Sequence, residues 1–215
     1  VLNRHLNYTN ICVNKCRFCA FCRDQDQEGA FLLSQEDMLD RLACPEATGV
    51  REVHIVGGCH PSLPLQFFVD AIQAIQRQFP AITVKGFTAV EIAHFASLED
   101  LSTRQVLQTL QSAGLAMLPG GGAEIFAPAT RKRICPEKIT AKRWLAIHQE
   151  AHELGLASNA SMLFGHVESI SERLEHLDAL RQLQDKAPAH GGFKCFIPLP
   201  FLRENNALGL EAKHP

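Results

Sequence analysis

Apolar residues in this chain occur as short runs and as longer stretches with helical spacing. The short runs predict strands at His5–Ile11, Glu52–Val56, Ile82–Phe87, Leu115–Leu118, Ser158–Phe164 and Phe193–Leu199. Between them, the periodic stretches predict five helices, which begin at Ser34, Leu65 and Ser102 or lie along Trp144–Leu154 and Leu174–Leu183. Alternation of strands and helices favours a parallel sheet covered by helices.

The spacing between the predicted strands indicates which fold they form. Successive strands are spaced like the βα units of a barrel of roughly 250 residues. We therefore predict an α/β fold, a (β/α) TIM-type barrel truncated to about six strands, as one domain over residues 1–215. Because a closed barrel needs more chain than this, we expect a fragment that lacks its C-terminal units. An open doubly wound sheet is the rival, although its phosphate-binding fingerprint is missing after the first strand.

Composition narrows the class of protein. The 215 residues carry a formal net charge of -2, which gives no electrostatic reason to expect a nucleic-acid partner. No apolar run reaches the roughly 18 residues of a membrane span. Eight cysteines are present, yet no secretory signal is visible. Four of them crowd into positions 12–22, which predicts a metal or cluster site in a cytoplasmic protein rather than a disulfide framework.

The crowded cysteines follow the first predicted strand. Cys12, Cys16 and Cys19 have the spacing C-x3-C-x2-C, and Phe18 precedes the last of them. Three thiolates can hold three irons of a [4Fe-4S] cluster and leave the fourth iron open to a ligand. Cys22 leaves an alternative, since Cys16, Cys19 and Cys22 also have a ferredoxin-like spacing. A four-cysteine set would make a closed cluster or a zinc site, in an electron-transfer or structural metal protein.

The cysteine loop resembles the signature of radical S-adenosylmethionine (SAM) enzymes, and further stretches resemble the aminofutalosine synthases. These stretches include Val56–Pro61, Phe87–Ile92, Pro119–Phe126, Gly165–Glu168 and Phe196–Leu199, so the resemblance covers essentially the whole chain. It implies a [4Fe-4S] cluster on Cys12, Cys16 and Cys19, SAM, and an external low-potential electron donor. It also implies a transferase of menaquinone biosynthesis, which adds the 5′-deoxyadenosyl radical to 3-[(1-carboxyvinyl)oxy]benzoate and gives 6-amino-6-deoxyfutalosine. The alternatives are a cyclic dehypoxanthinyl futalosine synthase and an FO synthase subunit.

The resemblance also implies ligands for the SAM molecule. Gly57 and Gly58 correspond to the motif that binds the methionine part of SAM, and Glu124 follows a triple glycine where it could accept from the ribose or amino group. The remaining predicted cofactor contacts are Phe18, Asn159, Leu163 and Gly165. Each feature has a plain structural alternative: a strand-to-helix turn for the glycine pair, a helix cap for Glu124, and barrel core for the apolar strand.

Several polar residues are candidates for acid–base or binding roles. His60, His166 and Glu168 follow predicted strand ends, and we predict catalytic roles for them. For His60 an exposed loop position is an equal alternative, and for Glu91 a surface role is as well supported as a site role. His148 and His152 have the i, i+4 spacing of a zinc helix, but they lie on an outer helix. We expect a solvated surface for the basic set Arg131, Lys132, Arg133, Lys138, Lys142 and Arg143.

Overall fold

The computed structural model describes residues 2–44 and 49–209. The chain divides into two compact units. The first consists of Val1–Val13 and Arg23–Pro119, and the second consists of Asn14–Cys22 and Gly120–Pro215.

The first unit is a parallel sheet covered by helices. Its strands are β1 (Asn3–Asn7), β2 (Glu52–Val56), β3 (Thr83–Gly86) and β4 (Leu115–Leu118), each paired in parallel with the next. Its helices are α1 (Gln35–Ala43), α2 (Leu65–Gln78), α3 (Ala89–Leu98) and α4 (Thr103–Ala113). Side chains alternate across the strands, so that one face buries Leu6, Val53 and Val84 completely.

Local sequence signals begin and end these helices. Ser34 and Ser102 accept hydrogen bonds from the third backbone N–H of α1 and α4, and the residue at that position returns the contact in each case. Thr88 forms the same capping box with Glu91 at the start of α3. Helix α4 ends at Gly114, whose φ of 118° lies in the left-handed region that favours glycine.

The second unit repeats the strand–helix alternation. It contains α5 (Pro128–Ile134), α6 (Ala141–Glu153), β5 (Ala157–Phe164), α7 (Ile170–Asp185) and β6 (Phe193–Pro200). Strands β5 and β6 pair in parallel. Trp144, Ile147 and Ala151 of α6 are fully buried, as the predicted helical stripe requires.

Three details of the sequence prediction were wrong. Strand β1 ends at Asn7 rather than at residue 11, because the following segment forms bridges with Arg23 and Leu32 instead of continuing beside β2. The described residues contain seven helices rather than five. The missed helices are α3, whose nearly continuous apolar run lacks a period, and α5, which has only seven residues.

The apolar stripe predicted for α7 was also partly wrong. Leu180 and Leu183 are buried, but Leu174 and Leu177 are exposed. Successive i, i+3 positions drift by about 60° around a helix of 3.6 residues per turn, so four such residues cannot share one face. Among the described residues, no helix is long and apolar enough to cross a membrane.

Candidate active site

The glycine pair that follows β2 is packed tightly against the start of the cysteine loop. A Cβ added at Gly58 would collide with the carbonyl oxygen of Ile11 and lie 2.9 Å from the Cβ of Cys12. The Gly58 N–H donates to the Thr9 carbonyl at 2.9 Å. The next N–H, of Cys59, donates to the Cys12 sulfur at 3.3 Å. The turn therefore has no room for a side chain, and it already supplies one hydrogen bond to a predicted cluster ligand.

A buried carboxylate holds this turn from the other side. Glu91 is 2% exposed, and its Oε1 accepts from the Gly57 N–H at 3.0 Å and from the Tyr8 hydroxyl at 2.9 Å. Its Oε2 accepts from the N–H and the hydroxyl of Thr88, each at 2.7 Å. Burial raises the pKa of Glu91 to about 7, although these hydrogen bonds oppose the shift. The surface role considered for Glu91 was wrong, because its carboxylate lies inside the first unit.

Tyr8 fills the space beneath the glycine pair. Its hydroxyl also lies 3.1 Å from the Gly58 carbonyl, and a Cβ at Gly57 would lie 2.7 Å from its ring. Burial, followed by the charge of Glu91, raises the pKa of Tyr8 well above its ordinary value. Tyr8 and Glu91 thus form a support under the predicted SAM motif. The role of Tyr8 was not predicted from the sequence, whereas a site role was one of the two alternatives for Glu91.

His60 lies beyond this turn and is buried, so the exposed loop position considered for it was wrong. Its Nδ1 accepts from the Ser62 N–H at 3.3 Å, and its carbonyl oxygen lies 2.7 Å from Nε2 of His94. Burial and the neighbouring His94 lower the pKa of His60, which keeps the ring neutral at pH 7.

The other two predicted cluster ligands lie in the second unit. Cys16 is buried in an apolar cluster with Ile125, Ile134 and Met162, and Phe18 and Cys19 pack against it. The Cys19 N–H donates to the Cys16 carbonyl at 3.0 Å, which closes a tight turn between them. This turn carries two thiols beside apolar side chains, with Cys16 buried and Cys19 partly buried.

Glu124 is paired with a lysine beside these cysteines. The Lys138 ammonium lies 2.5 Å from Glu124 Oε1 and 5.1 Å from the centre of the Phe18 ring. Burial opposes the charged form, but Glu124 and the neighbouring Cys16 raise the pKa of Lys138 above its ordinary value. The expected solvated position was wrong for Lys138, whose side chain is only 13% exposed.

Arg131 was also expected at the surface but is buried against the glycine turn. Its guanidinium donates to the carbonyls of Gly122, Ala123, Ile125 and Ile139 at 2.6–3.3 Å. Five planar donors are suited to several carbonyls at once, so a single side chain fixes the segment that carries Glu124.

The end of β5 is held by a network centred on Glu168. This carboxylate accepts from the N–H groups of Gly165 and His166 and from Arg173. Burial works against its ionisation, but these N–H groups and His166 lower the pKa of Glu168 overall. His166 Nε2 lies 3.0 Å from the Leu163 carbonyl, and burial lowers the pKa of this histidine. The Glu168 carboxylate is thus engaged in the turn around Gly165, whereas the buried Nδ1 of His166 lies 3.0 Å from Glu168 Oε2 but makes no hydrogen bond among the described residues.

The remaining candidate residues, on β5 and α6, are buried inside the second unit. Asn159 and Leu163 are buried in β5, and the Leu163 N–H donates to the Glu124 carbonyl at 2.8 Å. His148 and His152, the pair with zinc-like spacing, both lie within 2.9 Å of the Ser158 hydroxyl. The histidine pair is therefore part of the core beneath α6.

Comparison with known proteins identifies this arrangement. A model of the radical SAM superfamily matches residues 6–180, which include the cysteine loop, the glycine pair and the Gly165 turn. The chain belongs to the radical SAM superfamily. These matches indicate an enzyme, and the electron-transfer and structural metal alternatives are set aside. The cofactors of this superfamily are a [4Fe-4S] cluster and SAM.

Individual relatives show a finer likeness. The chain is 44% identical over 206 residues to aminodeoxyfutalosine synthase of Thermus thermophilus, covering 96% of this chain and 55% of the relative. It is 39% identical to a Methanopyrus kandleri protein named 5-amino-6-(D-ribitylamino)uracil–L-tyrosine 4-hydroxyphenyl transferase, covering 95% and 55% respectively. The chain thus spans about half the length of the curated relatives it matches.

Solved structures confirm the predicted fold class. The crystal structure of methylornithine synthase matches 99% of this chain and 58% of its own length, with a TM-score of 0.77 at 15% identity. SuiB of Streptococcus suis, solved with SAM bound, matches the whole chain with a TM-score of 0.67 at 14% identity. At such identities the likeness concerns the fold alone.

The donor set suits the superfamily's cofactors in its chemistry, although the described residues contain no group of three or more histidine, cysteine or carboxylate side chains placed to hold a metal ion. All eight cysteines lie among the described residues, and none of them is in a disulfide. The Cys12 sulfur accepts a backbone N–H, as expected for a thiolate ligand of a cluster. At Gly58 any side chain would collide with the cysteine loop, and the carbonyl of this residue lies 3.1 Å from the Tyr8 hydroxyl.

Proposed function

We propose that this chain is the radical SAM portion of a transferase of the aminofutalosine synthase type. The observation that carries the proposal is its 44% identity to the Thermus thermophilus synthase over nearly the whole chain. When bound, the reduced cluster would supply the electron that cleaves SAM to methionine and a 5′-deoxyadenosyl radical. The second substrate would be 3-[(1-carboxyvinyl)oxy]benzoate, and the product 6-amino-6-deoxyfutalosine of menaquinone biosynthesis.

Within this proposal, Cys12, Cys16 and Cys19 hold the cluster. A cubane bound by three cysteines keeps one iron open for the amino and carboxylate groups of SAM. Cys22 is a bystander in this assignment. An external low-potential donor would supply the electron, as the resemblance implies.

The glycine pair and its support would hold the methionine part of SAM. The Tyr8–Glu91 support fixes this turn through the Gly57 N–H and the Gly58 carbonyl, and the Thr9 carbonyl accepts the Gly58 N–H. Because Cys59 donates to the Cys12 sulfur, the same turn also orients one cluster ligand. Preorganisation of this kind keeps reacting atoms in place without reorganisation during the reaction.

The second unit would hold the nucleoside part. We assign Glu124 to the ribose or amino group, and Phe18, Asn159, Leu163 and Gly165 to the surroundings of the base. Arg131 fixes the segment of Glu124, while Glu168 and His166 shape the Gly165 turn. Catalytic roles for His60, His166 and Glu168 stay predictions. The contacts of the latter two favour a positioning role.

A second function is favoured by the Methanopyrus kandleri relative at 39% identity. That protein's name gives L-tyrosine and 5-amino-6-(D-ribitylamino)uracil as reactants, which corresponds to the FO synthase alternative. Against it, the triple glycine Gly120–Gly122 resembles the futalosine enzymes rather than the FO synthase subunit. A cyclic dehypoxanthinyl futalosine synthase shares the triple glycine and is the other alternative.

The test is a turnover assay on the full-length protein, reconstituted with iron and sulfide without oxygen. After reduction and addition of SAM, one sample receives 3-[(1-carboxyvinyl)oxy]benzoate and another receives L-tyrosine with 5-amino-6-(D-ribitylamino)uracil. Mass spectrometry should find aminofutalosine in the first sample only. An adduct in the second sample only would support the alternative, and 5′-deoxyadenosine without either adduct would refute both substrates.

A further inference from the structure

Three facing residues on the first three strands form a polar ladder. His5 of β1 is in register with His54 of β2, and His54 is in register with Lys85 of β3. Their neighbours Leu6, Val53 and Val84 are completely buried on the opposite face. Because side chains alternate across a strand, the ladder lies on the face turned away from the helices of the first unit.

This face is unusual for a parallel sheet. Both faces of parallel strands are normally apolar, and lysine is rarely buried unless it is paired. The Lys85 side chain is only 8% exposed, and its ammonium lies 2.5 Å from Glu52 Oε1. An ammonium has three donors, yet Glu52 is its one hydrogen-bond partner among the described residues. Lys85 therefore keeps donor capacity beyond its ion pair with Glu52.

His54 adds a second donor beside Lys85. Its ring lies 4.8 Å from the His5 ring, centre to centre, and neither of its nitrogens has a hydrogen-bond partner within residues 2–44 and 49–209. Burial and the positive charge of Lys85 lower the pKa of His54 to about 4. The ring is therefore neutral at pH 7 and offers one N–H donor. The His5 ring is already engaged, with Nε2 at 2.6 Å from Asn7 Oδ1.

The position of these donors separates them from the proposed SAM motif. His54 precedes Gly57 by three residues on β2, which corresponds to about 10 Å along a strand that rises about 3.3 Å per residue. Lys85 has donors beyond its hydrogen bond to Glu52, and His54 makes no side-chain hydrogen bond among the described residues, so together they suit an oxygen acceptor on a ligand. An ionised carboxylate makes the strongest hydrogen bonds with such donors.

We propose that His54 and Lys85 bind a carboxylate of the second, aromatic substrate. The inference rests on the proposed function, in which that substrate carries two carboxylates. The carboxylate concerned is that of the benzoate ring, since it lies at the end remote from the alkene that reacts beside SAM. Glu52 holds the lysine in place and limits the site to one carboxylate.

The test measures binding as well as turnover, in the full-length protein with the cluster oxidised and SAM present. Equilibrium dialysis gives the Kd of 3-[(1-carboxyvinyl)oxy]benzoate and of an analogue whose benzoate group is a carboxamide. Loss of a charged hydrogen bond should raise the Kd of the acid about 10- to 100-fold in His54→Phe and in Lys85→Met. Neither variant should weaken binding of the carboxamide to the same extent.

Two further variants keep the test decisive. Because Lys85→Met leaves Glu52 unpaired, the double variant Glu52→Gln/Lys85→Met removes both charges and should show the same loss. Thr83→Val alters the same face of β3 two positions earlier and should leave the Kd of both compounds unchanged.

The outcomes separate this inference from the proposed function. Wild-type protein that neither binds the acid nor forms aminofutalosine refutes the proposed function. Wild-type protein that forms aminofutalosine, while the double variant and His54→Phe bind the acid as tightly as wild type, refutes the carboxylate site. Equal weakening for the acid and the carboxamide also refutes it, because the effect would then not depend on the charge of the ligand.

Discussion

The buried Glu91 gives the sharpest prediction about the support under the glycine pair. Replacement by glutamine keeps the size of the side chain but removes its titration and one of its acceptor oxygens. The Tyr8 and Thr88 hydroxyls can rotate to accept from the new amide. The backbone N–H groups of Gly57 and Thr88 now donate to the two carboxylate oxygens. These N–H groups can only donate, so neither can accept from the amide. One of them therefore loses its partner in Glu91→Gln.

The magnitude depends on pH. An unpaired buried N–H costs about 1–3 kcal/mol, so Glu91→Gln should be less stable than wild type by about that amount near pH 5.5. The pKa of Glu91 is raised from 4.5 when unfolded to about 7 when folded. A raised acid pKa means that its contribution to stability is present below the unfolded pKa and is lost as pH rises through the folded pKa. Between about pH 5.5 and pH 8 the wild type should lose about 2 kcal/mol by this linkage.

Glutamine does not titrate, so the stability gap between the two proteins should narrow by about 2 kcal/mol across this pH range. Urea unfolding of the full-length protein without its cluster, followed by circular dichroism at both pH values, measures this gap. All other titrating groups are shared and cancel in the comparison. A gap that stays constant or widens with pH would refute the assignment of Glu91 as a buried carboxylate of raised pKa.

Three further predictions concern the site. Gly58→Ala should lose most of its reconstituted iron and its SAM binding, because the new Cβ collides with the cysteine loop. Iron analysis and equilibrium dialysis measure both. Arg131→Lys should lower the free energy of unfolding by about 2–4 kcal/mol, since a lysine cannot reach all four carbonyls; a change below about 1 kcal/mol in urea unfolding would contradict this. Cys16→Ala should abolish the electron paramagnetic resonance signal of the reduced cluster, whereas Cys22→Ala should retain it, and loss in both would revive the four-cysteine set.

Much of the fold follows from signals that are local in sequence. The predicted strands at Glu52–Val56 and Leu115–Leu118 have the observed bounds. The helix from Ser102 to Gly114 was delimited by its cap and its glycine, because capping and helical periodicity depend on neighbouring residues only. The cysteine spacing likewise indicated the superfamily, since ligands on one loop need no long-range contact to be recognised.

Tertiary structure decided what the buried polar groups do. Tyr8 and Glu91 meet across 83 positions of sequence, and Lys85 meets Glu52 across 33. Arg131 and Lys138, read as part of a solvated basic run, lie instead against the glycine turn and Glu124. A charged residue looks the same in sequence whether water or a distant partner satisfies it. The sequence by itself determined the strands, the capped helices and the cysteine ligand spacing, whereas the supports of the SAM motif and the polar ladder exist only because folding brings distant residues together.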